Sequence, residues 1–100
     1  MNIIKRATLE AFWTRHPETE QALKEWFQTA RTADWSRMDD VMRAYPRAKV
    51  LNGERARFEI CGGNYRLIVA FKFTARIAFI KFIGTHAEYD RVDALTVDQY

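Results

Sequence analysis

Between Arg55 and Ile83 the chain carries six cations (Arg55, Arg57, Arg66, Lys72, Arg76 and Lys81) against one acid, Glu59. A polar knot follows, Thr85-His86-Ala87-Glu88-Tyr89-Asp90. These residue types suit work on a phosphodiester. Histidine titrates near neutrality and can move protons. Arginine offers a planar fork that matches phosphate oxygens, and tyrosine can stack on a base or orient a phosphate. RNA cleavage without metal has three needs. A proton must leave the 2′-hydroxyl, another must reach the departing 5′-oxygen, and the extra charge on phosphorus must be neutralised. On spacing alone a histidine at a strand end is more often a hydrogen-bonded structural residue, so both readings stand here. A basic sheet is also a seat for polyanions, against the plain alternative of a solvated face.

The elements that must position these groups can be read from periodicity. Ala56, Phe58 and Ile60 alternate with Arg55, Arg57 and Glu59, as in a half-buried strand. Leu67, Val69, Phe71 and Phe73 make a second apolar face, with Arg66, Ile68, Ala70, Lys72 and Thr74 opposite. A last strand, Ile77 to Gly84, is apolar on both faces except at Lys81, which predicts a central strand or one covered by a partner. Its parity does not say which face is core. Lys81 and Thr85 share parity and His86 does not, so the chain is expected to bend at Gly84 for His86 to join the basic face. Asn52-Gly53 predicts a tight hairpin after a short strand at Val50-Leu51, and Gly62-Gly63-Asn64 another turn.

Upstream, Met1 to Lys5 reads as a brief edge strand, and Thr8 as the opening of a helix that His16-Pro17 interrupts. A second helix is expected from Pro17 to Arg31, with Leu23, Trp26, Phe27 and Ala30 on one buried stripe. Ser36 and Asp39 suggest a capping box for a third helix that ends at Pro46. The predicted fold is α+β: a small, mostly antiparallel sheet covered on one face by the N-terminal helices. Residues 1–100 make one domain.

Composition narrows the function classes. Of the 100 residues, 48% are hydrophobic and 29% charged, with a net charge of +3. That balance fits an ordered chain with a packed core. No stretch approaches the roughly 18 apolar residues of a membrane span. The start lacks a signal peptide's apolar run, so a cytoplasmic location is expected. Cys61 is the single cysteine, which excludes an internal disulfide. His16 and His86 with scattered carboxylates make a poor zinc site, so no metal or other cofactor is expected.

Phe58-Glu59-Ile60 leading to Gly63-Asn64-Tyr65-Arg66-Leu67-Ile68, and Gly84-Thr85-His86-Ala87-Glu88-Tyr89-Asp90, resemble the HigB-type toxins of the RelE-like superfamily in bacterial toxin–antitoxin systems. Phe12 through Arg15-His16-Pro17 to Leu23 and Trp26 adds support. The resemblance implies a RelE-like fold and a metal-independent endoribonuclease, an mRNA interferase acting on mRNA in the A site of the 70S ribosome. It also implies inhibition by a helix-turn-helix antitoxin of the HigA type, with operator DNA bound only through that antitoxin. Carried over by position, Arg66 would stabilise the phosphate, and His86 and Tyr89 would transfer protons and orient substrate. Arg55, Arg57, Lys72 and Lys81 would hold the RNA backbone. RelE itself relies on lysines and a C-terminal tyrosine, a departure that leaves the acid and base roles open. A catalytically inactive module that binds RNA, ribosome or antitoxin is the alternative. Ile68, with Phe79 or Ile80, is a possible antitoxin contact.

Overall fold

A computed structural model describes all 100 residues. The elements are β1 (Asn2–Ile4), α1 (Arg6–Arg15), a 3₁₀ turn (Pro17–Thr19), α2 (Glu20–Thr32), α3 (Met38–Ala44), β2 (Lys49–Val50), β3 (Arg55–Ile60), β4 (Tyr65–Lys72), a second 3₁₀ turn (Phe73–Ala75), β5 (Ile77–Thr85) and α4 (His86–Tyr89). The five strands lie in the order β1-β5-β4-β3-β2. Only the β1–β5 pair is parallel. The α+β class and the mostly antiparallel sheet are as the sequence predicts.

The core lies between one sheet face and the helices. Leu23, Trp26 and Ala30 of α2 pack over Ala56, Phe58, Ile60, Leu67, Val69 and Phe71, the two alternating strand faces expected. Phe73 leaves the strand but stacks on Phe71, with ring centroids 5.3 Å apart. No helix is long and apolar enough to cross a membrane.

Several local expectations are corrected. Helix α1 begins at Arg6 rather than Thr8, because the Thr8 hydroxyl and amide both donate back to the Lys5 carbonyl. Pro17 starts a 3₁₀ turn, and α2 follows from Glu20. The Ser36–Asp39 box does not form. The Ser36 amide and hydroxyl instead donate to Asp40 Oδ2 at 2.9 and 3.1 Å, and the amide bond holds that carboxyl below its usual range. Nor is Asn52-Gly53 a two-residue hairpin. The last pair before the loop is Val50 with Ala56, and Asn52 Oδ1 accepts from the amides of Glu54 and Arg55, both at 2.8 Å. The Asn52 side chain adds to the backbone bonds that the Leu51 and Asn52 amides donate to the Arg55 carbonyl, and Gly53 stays out of the left-handed region.

The ambiguous strand β5 is settled by a bulge. Ile68 pairs with Phe82 but Val69 with Ile80, so Lys81 faces no partner. Ala78, Ile80 and Ile83 therefore all reach the core, while Phe82 joins Ile68 on the other face. Both are buried all the same. Their cover is the chain itself: α4 and the segment after it lie across this face. Arg55 Nη1 donates to the carbonyls of Ala94 (3.2 Å) and Val97 (2.8 Å). The Gln99 amide donates to the Lys81 carbonyl at 2.9 Å, and Gln99 Oε1 accepts from the Ile83 amide at 3.1 Å.

Candidate active site

Register brings the basic residues together. Across the sheet Glu59 stands opposite Arg66, and Arg66 opposite Gly84. Arg57 is the diagonal neighbour of Arg66, on the same face because residues two apart along a strand share a side. The turn at residues 61–64 sets this register. Cys61, Gly62 and Gly63 take φ of 55°, 68° and 94° there. Gly63 is constrained twice, since an added Cβ would also lie 3.0 Å from Glu59 Oε1 and 3.7 Å from Arg66 Nη2. Its carbonyl accepts from Arg66 Nε at 3.1 Å, which aims the guanidinium.

Beyond β5 the chain turns into α4, and a capping box makes the turn. The Glu88 amide donates to Thr85 Oγ1 at 3.1 Å, and the Thr85 amide to Glu88 Oε1 at 2.8 Å. The expected bend at Gly84 is therefore corrected. Gly84 is strand, and glycine is needed because a Cβ would stand 2.6 Å from Phe82 Cζ. The His86 amide donates to the Asn64 carbonyl at 3.0 Å, tying α4 to the turn that positions Arg66.

His86 and Tyr89 are three residues apart on this turn and so share a side. The Tyr89 ring meets both guanidiniums, Arg66 at 5.7 Å and Arg57 at 5.8 Å from its centroid, and Phe82 supports it at 6.3 Å. Arg57 Nε is buried without a partner. His86 is half exposed, with Nδ1 3.1 Å from Asp90 Oδ2. That contact engages Nδ1 and leaves Nε2 without a hydrogen bond within the chain. Arg57 and Arg66 thus meet the Tyr89 ring at one end of the sheet, and His86 stands on the same turn as Tyr89.

The other candidates lie elsewhere. Lys72 ends β4 six residues from Arg66, roughly 20 Å away at 3.4 Å per residue. Arg55 is tethered to two carbonyls of the C-terminal segment, and Lys81 Nζ pairs with Asp98 at 3.2 Å. His16 stacks on Phe12 at 4.4 Å, a packing role at the end of α1. Burial pushes the Cys61 thiol up, which suits an unreactive side chain. Sequence reasoning missed Asp90 as the partner of His86, although the i, i+4 spacing was available. Thr85-x-x-Glu88 was likewise readable as a cap.

The cap gives a testable result. Thr85→Ala removes the acceptor for the Glu88 amide and should cost about 1 kcal/mol of local stability. Faster amide exchange at residues 86–89, with the sheet unchanged, is the expected readout. The Thr85 amide also holds the Glu88 carboxyl below its usual range. Its contribution is therefore present above the unfolded-state pKa and fades as pH falls through the depressed folded value.

Residues 19–92 match the profile of the HigB toxin family, described as the RelE-like toxic component of a toxin–antitoxin system. The chain is also 27% identical over 94 residues to "mRNA interferase HigB" of Escherichia coli O6:H1 (strain CFT073), covering 92% of this chain and 91% of that protein. A profile match across most of the sequence, on the fold and platform just described, leads to one conclusion: the chain belongs to the HigB toxin family, the toxic component of a toxin–antitoxin system.

Proposed function

We propose that the protein is a ribosome-dependent endoribonuclease that cuts mRNA by attack of a 2′-hydroxyl on the adjacent phosphate, without metal. The observation that carries this reading is the pair of guanidiniums on the Tyr89 ring, with His86 on the same turn. Arg66 and Arg57 bind the scissile phosphate and stabilise the charge that builds on it. His86 exchanges a proton through Nε2, and Tyr89 holds the arginines and stacks on the substrate. The relative named an mRNA interferase supports the choice of substrate. The message is taken in the ribosomal A site of the 70S particle. A helix-turn-helix antitoxin of the HigA type restrains the enzyme, and operator DNA is bound only through that antitoxin. All this takes place in the cytoplasm.

The test is to incubate programmed ribosomes with the protein and map message 5′ ends. New ends within the A-site codon are expected, and His86→Ala should lower their rate by about 10²–10⁴-fold. Ribosomes that stall with intact message would overturn the nuclease reading in favour of a binding module.

A further inference from the structure

A proton donor and a charge stabiliser leave one role unfilled, the group that takes the 2′-hydroxyl proton. Glu59, Arg66 and Gly84 form one row across β3, β4 and β5. At about 4.8 Å per strand, the two ends of that row lie roughly 10 Å apart with Arg66 midway. His86 opens α4 two residues after Gly84, so the residues that carry the carboxylate, the guanidinium and the imidazole come from β3, β4 and the end of β5 in that order. Displacement at phosphorus needs the same order. The attacking oxygen enters on one side of the phosphate and the leaving oxygen departs on the other.

Glu59 is on the right face, since Ala56, Phe58 and Ile60 take the core side of β3. Its side chain keeps 22% of its exposure, and its ion partner is Arg47 Nε at 3.9 Å, on a side chain 82% exposed. A contact that long and that exposed holds little. A carboxylate beside a phosphate site also repels the ligand, so for binding alone Glu59 is a liability. It is accounted for if it acts in the reaction.

We propose that Glu59 is the general base, an assignment that rests on the nuclease reading above. Its carboxylate takes the 2′-hydroxyl proton as O2′ bonds to phosphorus. The bond from phosphorus to O5′ breaks, and the His86 imidazolium gives its proton to O5′. The products are a 2′,3′-cyclic phosphate and a 5′-hydroxyl. Glu59 is left protonated and His86 neutral, and exchange with water resets both.

The test uses the full chain on programmed ribosomes, with a message whose mapped cleavage linkage carries sulfur in place of O5′. A thiolate leaves without a proton, so that substrate bypasses the acid but still needs the base. On the ordinary message Glu59→Gln should cleave about 10²–10⁴-fold more slowly while melting like the parent and competing normally for the A site. Glu59→Asp, which keeps the carboxylate one methylene short, should recover part of the rate. On the sulfur linkage His86→Ala should return towards the parent rate, and Glu59→Gln should stay slow. A Glu59→Gln protein that cleaves at the parent rate, or that the sulfur linkage rescues, overturns the assignment. A parent protein that cuts neither message overturns the nuclease reading instead, which separates the two failures.

Discussion

Arg66→Ala should abolish most cleavage while leaving the fold intact. Its guanidinium is at the centre of the row between Glu59 and Gly84 and against the Tyr89 ring. Removing one donor aimed at developing charge costs about 10²–10³-fold in comparable sites. Arg66→Lys should recover little, because an ammonium lacks the planar fork that matches phosphate oxygens. The fold should tolerate the change. The side chain's one hydrogen bond within the protein is to the Gly63 carbonyl, and such partly exposed positions move stability by roughly 0.5 kcal/mol. Message 5′-end mapping and a melting curve on one preparation check both halves. Cleavage at the parent rate would remove Arg66 from the mechanism.

The largest effect on stability is expected at Phe58. Its ring is 2% exposed and meets Trp26 at 5.4 Å, Tyr45 at 4.9 Å and Phe71 at 6.4 Å. Phe58→Ala removes the common neighbour of three aromatic side chains from two helix-side layers and the next strand. The cost for such a truncation is about 3–5 kcal/mol, set against a total margin on the order of 5–15 kcal/mol. At roughly 4–8 °C per kcal/mol for a chain of this size, the melting temperature should fall by well over 10 °C. Thermal and urea unfolding measure it. A loss below 1 kcal/mol would mean that the aromatic cluster closes over the gap.

Elements with a clean period could be read from the residues alone. The stripe Leu23, Trp26, Ala30 and the alternations in β3 and β4 name their own core faces, because one side is uniformly apolar and the other carries the charges. In β5 that contrast vanishes. The chain after α4 covers the second face, so Phe79, Phe82 and Ile83 look alike in sequence, and the bulge at Lys81 shifts parity unseen. The surroundings of Arg55 were hidden for a related reason. Its charge marks it as a phosphate ligand, yet its partners are backbone carbonyls some forty residues away, which no pattern announces. Arg66, His86 and Tyr89 were singled out as candidates by motif. The position of Glu59 beside Arg66 needed the register that the four-residue turn creates.

The clasp formed by the last residues changes how the molecule meets nucleic acid. Of the six cations that make the sheet look broadly positive, Arg55 is held by backbone carbonyls, Lys81 pairs with Asp98 and Arg76 with Asp34, and Lys72 is far along β4. The attractive field is therefore narrowed to the end where Arg57 and Arg66 stand. On the function proposed above, a protein shaped this way should have little grip on an arbitrary stretch of polyanion. It should favour one linkage delivered by a carrier that already holds the strand in place.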